Sequence, residues 1–351
     1  MQFTIKLRLR DKHAAELNRQ ARAVSFVWNY CNDAQKHAFN TRWAWREKWL
    51  SYAALAGLTS GIAAELNLHS HTIQRVCREY EKSRRAKKKR WLRYRGRKSL
   101  GWVPFNTGHV SFNGETFTFR GVQYETMHLR DVLKPGVKIG AGSFNQDSRG
   151  RWYINCPVEV ECADSAPNTR VGIDLGLKTL ATLSDEREIE IPQFYRKSEA
   201  KLATAQRAKK TPKRIRRIHA KIANRRKDFL HKESRKIVKQ YGLIVVGDVN
   251  PSKLAKTSMA KSVLDAGWSG FRDMLSYKAI THGGMCLEVN EAFTTQTCSA
   301  CDARSGPKGI AGLGIREWVC SECGVVHQRD PNSAGNILRL GLQTLVGGTN
   351  G

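Results

Sequence analysis

The sequence predicts a multidomain α/β protein that contains two different kinds of sheet. Residues 2–9 alternate apolar and polar side chains with the period of a half-buried strand, and alternation returns between 102 and 162. Two apolar runs farther along, at 241–249 and 284–289, read as strands buried on both faces, with a helical segment between them. Parallel strands connected through helices form α/β sheets, so the second half is predicted to contain one.

The segment 11–98 lies between the two sets of alternating residues and is predicted to be helical. Its apolar residues fall at helical spacing in two stretches, which are Ala14, Leu17, Ala21, Val24, Val27 and Trp28, then Ala63, Leu66, Ile73 and Val76. The strands HVSFNG, TFTFRG, VKIGAGSFNQ and WYINCPVEV follow, separated by Gly, Asn and Pro turn signals. We expect the first strand to rejoin them, which makes the helical region an insertion in a β-barrel or sandwich.

A second unit is expected after residues 165–168, which have the composition of a linker. TRVGIDLGLKTLATLSD at 169–185 predicts a strand, a tight glycine turn and another strand. A helical stretch at 196–240 and an amphipathic helix at 262–279 flank the first apolar run. The last residues, 344–351, are expected to be a disordered tail.

The formal net charge of the chain is +29, from 60 Lys and Arg against 31 Asp and Glu. A surplus of this size repels itself unless a polyanion neutralises it, which favours nucleic acid as the partner. An anionic membrane is disfavoured because the sequence shows neither an amphipathic helix with a bulky apolar face nor an apolar run of about 20 residues. The start, MQFTIKLRLRDKH, lacks the apolar run of a signal peptide, so a cytoplasmic, nucleoid-associated protein is expected.

Four of the nine cysteines form two CxxC pairs, Cys298/Cys301 and Cys320/Cys323. Two such knuckles supply four thiolates in the tetrahedron that Zn²⁺ favours in a closed structural site, so one Zn²⁺ is predicted here. The remaining cysteines are isolated and are expected to fill cores; they are Cys31, Cys77, Cys156, Cys162 and Cys286.

Two aspartates lie in motifs that could place a carboxylate in a catalytic or metal-binding site. Asp174, in Gly-Ile-Asp-Leu-Gly, can project from a strand beside small neighbours that leave room for a phosphate and a metal, although Asp beside Gly is also ordinary turn chemistry. Asp330, in RDPNSAGNIL, falls in the first turn of a helix, where capping is the simpler interpretation. Taken separately, both interpretations stay open for each residue.

Together, the order GIDLGLKTLAT, a buried strand, EAFTTQTCSAC and CSECGVVHQRDPNSAGNIL resembles the TnpB proteins of insertion sequences, which are RNA-guided nucleases ancestral to the type V CRISPR effectors. The resemblance is specific over about 169–340. It implies a RuvC-like nuclease domain at 169–295 and 328–343 with a zinc ribbon inserted at 296–327. It also implies a wedge β-domain at 1–10 and 102–165, split by a helical recognition lobe at 11–101.

The resemblance further implies three acids on an RNase H-like sheet that hold two Mg²⁺ ions. By motif position the first is Asp174 and the last is Asp330. The middle acid of the family is a glutamate in a pattern like Glu-Asp-Leu-Asn, and the matching residues here are Gly247-Asp248-Val249-Asn250. The expected glutamate is absent, which leaves three explanations.

Asp248 is one substitute, but successive strand residues point to opposite faces, so it would need a bulge. Glu291 is another, because the strand ending near Val289 runs parallel in the family's fold, about 4.8 Å away, and a glutamate can span that gap. Glu288 is a lesser candidate on the same strand, and the family more often has a proline at the place of Glu291. The third explanation is an inactive nuclease. We predict that the acid has moved to Glu291.

The partners implied are a guide RNA derived from the transposon end and a double-stranded target DNA. Two basic runs, 81–98 and 207–227, are candidates for binding them, since the second has eleven Lys or Arg and no acid. The candidate nucleic-acid-binding residues are Arg84, Arg85, Lys87, Lys88, Lys89, Arg90, Trp91, Arg93, Lys213, Arg214, Arg216, Arg217, Arg225 and Arg226. The candidates for reading a short flanking motif are His69, Ser70, His71 and Gln74, for which an N-cap with solvent-facing histidines is the alternative.

Three functions follow from these observations. The leading one is an RNA-guided DNA endonuclease encoded by a transposon, and the second is a nuclease-inactive, RNA-guided DNA-binding repressor. The third, a zinc-ribbon RNA-binding protein without guided targeting, leaves Asp174 and Asp330 unexplained. The sequence does not determine the oligomeric state.

Overall fold

The computed structural model describes residues 2–40, 49–128, 133–159, 162–208, 212–249, 266–308 and 311–347. The chain divides into two compact units, Met1–Val160 and Glu161–Gly351. The amide of Ala163 donates to the carbonyl of Thr281 at 3.0 Å, within the second unit. The expected linker at 165–168 therefore belongs to that unit.

The first unit contains two antiparallel sheets. Its described strands are β1 (Gln2–Arg8), β2 (Trp102–Phe105), β3 (Val110–Phe112), β4 (Thr116–Phe119), β5 (Val122–Glu125), β6 (Gly142–Gln146) and β7 (Trp152–Glu159). One sheet has the order β1-β7-β6-β2 and the other β3-β4-β5. Gln2 lies opposite Glu159, so the first strand does rejoin the later ones, as the sequence predicts.

Aromatic rings from both sheets meet at Phe144. The ring centroids of Phe105, Phe119 and Tyr124 lie 5.4, 5.5 and 5.0 Å from that of Phe144. Each of these positions alternates with half-buried or exposed neighbours along its strand, except in β2, which is buried more continuously. This shared aromatic core joins the two sheets.

The described part of the first unit also contains three α-helices: α1 (Ala14–Asn40), α2 (Tyr52–Leu58) and α3 (Ser70–Ala86). The periodic residues behave as predicted where the helices form, since Leu17, Val24, Ile73 and Val76 are buried in one core. The stretch 61–67 differs, because it consists of turns before α3 rather than the start of that helix. A left-handed residue, Asn67 at φ 46°, helps to explain why the helix does not extend through it.

The second unit is built on one five-stranded mixed sheet. Its strands are β8 (Arg170–Leu175), β9 (Thr179–Leu183), β10 (Glu188–Glu190), β11 (Leu243–Gly247) and β12 (Met285–Val289), in the order β10-β9-β8-β11-β12. Strands β8, β11 and β12 are parallel, whereas β9 is antiparallel to both of its neighbours, β8 and β10. The carboxyl ends of the three parallel strands therefore meet at one edge.

Helices cover this sheet on two sides. They are α5 (Pro212–Gln240), α6 (Trp268–Thr281) and α7 (Arg329–Gly347), and α4 (Arg196–Arg207) packs against α5. Ile244 and Val246 belong to a core with α5 and α6, while Val245 packs with Ile337 of α7. Residues 262–265 of the helix expected at 262–279, together with Asn250 and Pro251, lie outside the described residues. Helix α7 includes residues 344–347 of the expected tail, and the rest of that tail is also outside them.

Two glycines allow α7 to lie close to the sheet. A Cβ on Gly172 of β8 would stand 2.0 Å from the carbonyl oxygen of Ala334, and one on Gly341 would stand 2.4 Å from Val245. Contacts below 3.0 Å are not tolerated by real side chains, so both positions require glycine while α7 stays where it is. This close approach fixes the start of α7 near the carboxyl end of β8.

A small two-stranded ribbon is inserted between β12 and α7. It contains β13 (Glu317–Val319), β14 (Val326–Gln328) and a short 3-10 helix at Ala311–Gly314. Trp318 lies opposite His327 in the register, and both are buried. Residues 309–310 of this region are outside the described part.

Candidate functional site

Three acids from distant parts of the chain come together at the carboxyl edge of the large sheet. Asp174 lies near the end of β8, Glu291 follows the end of β12 by two residues, and Asp330 is in the first turn of α7. The charges of both Glu291 and Asp330 act on Asp174 strongly enough to shift its pKa. The fold therefore gathers the two motif aspartates and Glu291 in one cluster.

Gly247 ends β11, the strand between β8 and β12, and it faces this cluster. A Cβ built on Gly247 would lie 2.5 Å from Oε2 of Glu291 and 3.2 Å from the Cβ of Glu291. The side chain of Glu291 thus occupies the space that a residue at position 247 would fill. The carboxylate reaches this space from the neighbouring strand, whose last residue, Val289, is paired with Gly247.

Burial and neighbouring charges raise the pKa values of two of these acids, Asp174 and Glu291. Burial, and then the charges of Glu291 and Asp330, raise the pKa of Asp174 to about 7, against opposing effects of the Ser333 hydroxyl and of Arg329. Burial, and then the charge of Asp248, raise the pKa of Glu291 to about 7, with Arg272 opposing. Oxygen Oε2 of Glu291 is buried and has no hydrogen-bond partner among the described residues. A group of acids held in this way favours either protons or a cation.

The acids fit divalent cations by this chemistry, because Mg²⁺ prefers carboxylate oxygens and the buried Oε2 of Glu291 is available to it. Among the described residues only the ribbon cysteines form a group whose ligand atoms all lie within 4.8 Å of one another, so the acids are spaced more widely.

The alternative acids occupy other positions. Asp248 is exposed and its Oδ1 accepts a hydrogen bond from the amide of Glu291 at 3.3 Å. Glu288 is half-exposed and pairs with Arg272 at 3.3 Å. Asp248 therefore supports the backbone of Glu291 in this arrangement, and Glu288 is engaged by an arginine of α6.

Arg316, which the sequence analysis did not single out, lies at the cluster. Its Nη1 is 2.9 and 3.2 Å from the two carboxylate oxygens of Asp330. Arg316 precedes β13, so the ribbon contributes a guanidinium to the acids of the sheet. Nothing in its local sequence distinguishes it from the other arginines; only its position in the fold does.

The polar residues of the RDPNSAGN motif bind the turn that carries Glu291. The side-chain amides of Asn332 and Asn336 each donate to the carbonyls of Thr294 and Thr297, over 2.7–3.4 Å. The hydroxyl of Ser333 donates to that of Thr294 at 2.9 Å. These residues are buried in α7, so the motif does more than cap a helix. It fixes the Glu291 turn against the helix that carries Asp330.

The four ribbon cysteines also come together. The sulfur atoms of Cys298 and Cys323, and those of Cys301 and Cys320, are 3.6 Å apart. The hydroxyl of Ser305 donates to Cys320, and this contact is the main cause that lowers the pKa of that thiol to about 6. Cysteine sulfurs in this arrangement fit Zn²⁺.

The first knuckle is joined directly to α7. The amide of Ser299 donates to Oδ1 of Asn332 at 2.9 Å, and the same side chain binds the Glu291 turn. His327, also missed by the sequence analysis, approaches Sγ of Cys298 through Nε2 at 3.0 Å. The first CxxC knuckle and the turn that carries Glu291 therefore share one buried asparagine.

The basic run at 81–98 leaves the helix at Ala86 and continues through turns without regular secondary structure. Side chains of α1 hold it, since Asn32 exchanges hydrogen bonds with both backbone groups of Leu92 at 2.8 Å. Trp91 is exposed, and the guanidinium of Arg90 lies 4.6 Å from the centre of the Phe39 ring. After the helix, the segment presents its charges and two exposed aromatic rings, those of Trp91 and Tyr94, on a backbone held by α1.

Arg84 does not present its charge to solvent, in contrast to the prediction. It is only 4% exposed, its guanidinium lies 4.7 Å from the centre of the Trp49 ring, and Nη2 is 3.4 Å from the carbonyl of Leu50. Arg84 lies on the buried face of α3, where its side chain packs against Trp49, a residue distant in sequence. Its neighbour Arg85 is exposed and pairs with Glu81 at 2.7 Å. The candidates Lys87, Lys88, Lys89 and Arg93 are also exposed.

The second basic run forms the first half of α5. Five of its six candidates are exposed, namely Lys213, Arg214, Arg216, Arg217 and Arg225. Arg226 is half-buried and its methylene groups would touch a side chain placed on Gly267. Residues 209–211 of the run lie outside the described part.

The predicted flanking-motif residues lie at the start of α3. His69 is the N-cap and its Nδ1 accepts from the amide of His71 at 3.2 Å, while Ser70 and Gln74 are exposed. The rings of His69 and His71 also gather with that of His109, at centroid distances of 4.5–5.2 Å. The capping interpretation thus holds for His69, and exposure leaves the other three accessible.

Comparison with known proteins gives matches along most of the chain. A family model described as "Probable transposase", OrfB_IS605, matches residues 153–258, and the Cas12f1-like TNB domain model matches residues 268–337. A Streptomyces pristinaespiralis protein named "Putative RNA-guided DNA endonuclease" is 31% identical over 95% of this chain and 87% of its own length. A TnpB-like protein of Acanthamoeba polyphaga mimivirus is 28% identical over 49% of this chain and 37% of its own.

Two further matches extend over nearly the whole chain. InsQ of Escherichia coli K12, also named "Putative RNA-guided DNA endonuclease", is 26% identical over 99% of this chain and 93% of its own length. A solved Cas12f1–sgRNA–target DNA complex aligns with a TM-score of 0.40 and 15% identity, covering 96% of this chain and 99% of that one. None of the described helices is both long and apolar enough to cross a membrane.

Proposed function

This chain belongs to the TnpB family, and from that membership we propose that it is an RNA-guided DNA endonuclease of an insertion sequence. It cleaves target DNA next to a short flanking motif by two-metal phosphodiester hydrolysis on a RuvC-type, RNase H-like sheet. A guide RNA derived from the transposon end selects the target by base pairing. Its full-length relatives, named as RNA-guided DNA endonucleases, support this proposal.

One observation carries the assignment of the catalytic acids. The carboxylate of Glu291 stands where a side chain on Gly247 would stand, and its charge, together with that of Asp330, raises the pKa of Asp174. Burying a carboxylate oxygen that has no hydrogen-bond partner is costly. An inactive nuclease would gain nothing from this cost, whereas an active one uses the oxygen to bind a cation. We therefore assign Asp174, Glu291 and Asp330 as the three catalytic acids, with Glu291 as the relocated middle one.

The three acids would hold two Mg²⁺ ions. When bound, such ions supply the charge that activates a water molecule and stabilises the leaving oxygen of the phosphodiester. The protein's own part is to hold the acids rigidly: Ser333 hydrogen-bonds Asp174, and α7 fixes the Glu291 turn. Arg316 brings a guanidinium that can donate to a phosphate oxygen of the DNA.

The remaining sites are assigned to binding and structure. One structural Zn²⁺ on the four cysteines would keep the ribbon folded and, through Ser299 and Asn332, keep the Glu291 turn in place. The exposed residues of the runs at 85–93 and 213–225 would contact the phosphates of the guide and target. Residues at the start of α3 would read the flanking motif.

The direct test uses the purified ribonucleoprotein with Mg²⁺ and a target DNA matched to the copurified RNA. Specific products that disappear with Asp174→Ala and with Glu291→Ala, but persist with Asp248→Ala, are expected. A stable, uncut complex with the matched target would instead indicate the RNA-guided repressor. Failure to copurify any defined RNA would reject guided targeting altogether.

A further inference from the structure

Phe293 adopts a strained backbone conformation at the surface, in the turn that begins at Glu291. Its φ is 67°, in the left-handed region that an aromatic residue rarely adopts, and its side chain is 49% exposed. A single exposed aromatic ring is unremarkable, but backbone strain of this kind persists only where the surrounding structure imposes it, and it clusters at functional sites. The strain here does not serve to bury the ring.

Hydrogen bonds on both sides of Phe293 impose this conformation. Its carbonyl accepts from the amides of Gln296 and Thr297 at 2.9 and 3.0 Å, and from the Thr297 hydroxyl at 3.0 Å. The carbonyl of Glu291 accepts from the amide and hydroxyl of Thr294. The same turn is bound to α7 through Asn336. The ring is therefore displayed at a fixed position relative to Glu291.

Arg304 of the ribbon covers one face of this ring. Its guanidinium carbon lies 4.3 Å from the ring centre, and the side chain of Arg304 is exposed. The pair combines an aromatic ring with a guanidinium and carries one positive charge. Both components stack on nucleobases, and the guanidinium can also donate to a neighbouring phosphate.

We propose that Phe293 and Arg304 form a stacking site for one unpaired base of the DNA strand, next to the phosphodiester that the acids cleave. The inference rests on the proposed nuclease function. The stacked base would place its strand against Glu291, so that Phe293 acts as a positioning residue. Because every base has a stacking face, the site would accept any base and reject an abasic residue.

The test combines substrate and protein changes in the ribonucleoprotein. Target strands carrying a single abasic residue are walked across the cleavage position, and kcat/KM is measured for the wild type and for Phe293→Leu. The wild type should lose about 5- to 100-fold at one position. Phe293→Leu should lose a similar factor on the intact strand and be indifferent to the abasic residue at that position. Equal sensitivity of both proteins to every abasic position would overturn the proposal.

Further variants separate stacking from a structural role. Phe293→Tyr keeps the aromatic face and should retain wild-type cleavage, whereas Phe293→Gly relieves the strain and should raise Tm while still losing cleavage. The matched control is Phe26→Leu, which changes a phenylalanine of similar exposure, 56%, in α1. A variant Phe293→Gly that cleaves as well as the wild type would contradict the positioning role.

A fluorescence measurement keeps this test independent of catalysis. In ribonucleoprotein carrying Asp174→Ala, a target strand with 2-aminopurine at the sensitive position should be quenched on binding, and Phe293→Leu should remove that quenching. Quenching without any cleavage by the protein with Asp174 intact would support the stacking site while rejecting the nuclease. Unchanged quenching in Phe293→Leu would reject the stacking site alone.

Discussion

Moving the carboxylate of Glu291 back to position 247 should restore cleavage to a variant that has lost it. The single variant Glu291→Ala removes a proposed metal ligand, whose contribution to the barrier is several kcal/mol, so we expect cleavage to fall at least about 10³-fold. The double variant Gly247→Glu/Glu291→Ala should recover to within about 10-fold of the wild type. In the double variant, the glutamate at position 247 is carried by β11, the strand that carries the middle acid in the family.

The structure explains why both changes are needed. With Glu291 present, a Cβ at position 247 would meet Oε2 of Glu291 at 2.5 Å and the Cδ1 atom of Ile337 at 3.3 Å. A second carboxylate would also add a like charge to a cluster in which the pKa of Glu291 is already raised to about 7. The single variant Gly247→Glu should therefore be impaired, and removal of Glu291 should relieve it.

The assay is single-turnover cleavage of a guide-matched target with Mg²⁺, with RNA loading checked for each variant. Asp248→Ala is the matched control, since it removes a neighbouring acid whose described contact is with the amide of Glu291, and it should retain cleavage within about 10-fold. If Asp248→Ala were inactive and Glu291→Ala active, the assignment of the middle acid would be wrong. If neither variant changed an existing activity, the chemistry would lie elsewhere.

Three other predictions follow from the same contacts. The pKa of Asp174 is about 7 in the folded protein and 3.8 in the unfolded chain, so the folded protein holds a proton that the unfolded chain releases. Without divalent cation, the free energy of unfolding should therefore fall as pH rises from about 4 to 7. Asp174→Asn should raise the free energy of unfolding by up to about 4 kcal/mol at pH 8 and by less at pH 5, measured as an increase in Tm. Zinc removal by a chelator, or Cys298→Ser, should lower Tm and should reduce cleavage at least about 10-fold, because the knuckle supports the Glu291 turn. The control Cys286→Ser, outside the ribbon, should cleave normally. Gly172→Ala should cost about 2–3 kcal/mol and abolish cleavage, since its Cβ would meet a backbone carbonyl of α7 at 2.0 Å, whereas Gly57→Ala, which meets nothing within 4 Å in α2, should be neutral or stabilising.

Features that depend on short spacings could be predicted from the sequence. The two CxxC pairs place four sulfur atoms together because each knuckle is a local turn, and the structure brings those sulfurs within 4.8 Å. The periodicity of α1 and the alternation of β1 likewise follow from which residues must be buried on one face. The sequence also predicted that β1 rejoins the later strands, because it alternates as they do, whereas its partner, β7, was decided by the fold.

Other features were beyond the sequence because they depend on residues far apart in the chain. The burial of Arg84 against Trp49 is one, since a run of arginines gives no sign of which member will meet an aromatic ring. The contact of Arg316 with Asp330 is another, because it requires the ribbon to fold back to the start of α7. The left-handed conformation of Phe293 is a third, imposed by hydrogen bonds rather than by its own preference.

The sequence by itself identified the family, the four cysteines that come together, the two motif aspartates and a short set of candidates for the proposed third acid. It could do so because motifs and strand patterns are properties of neighbouring residues. Only the tertiary structure decided that the side chain of Glu291 fills the space above Gly247, since that depends on how two parallel strands are paired and how closely α7 approaches them. The pKa values and the free space at a site depend on residues from several distant segments, so no local stretch of sequence determines them.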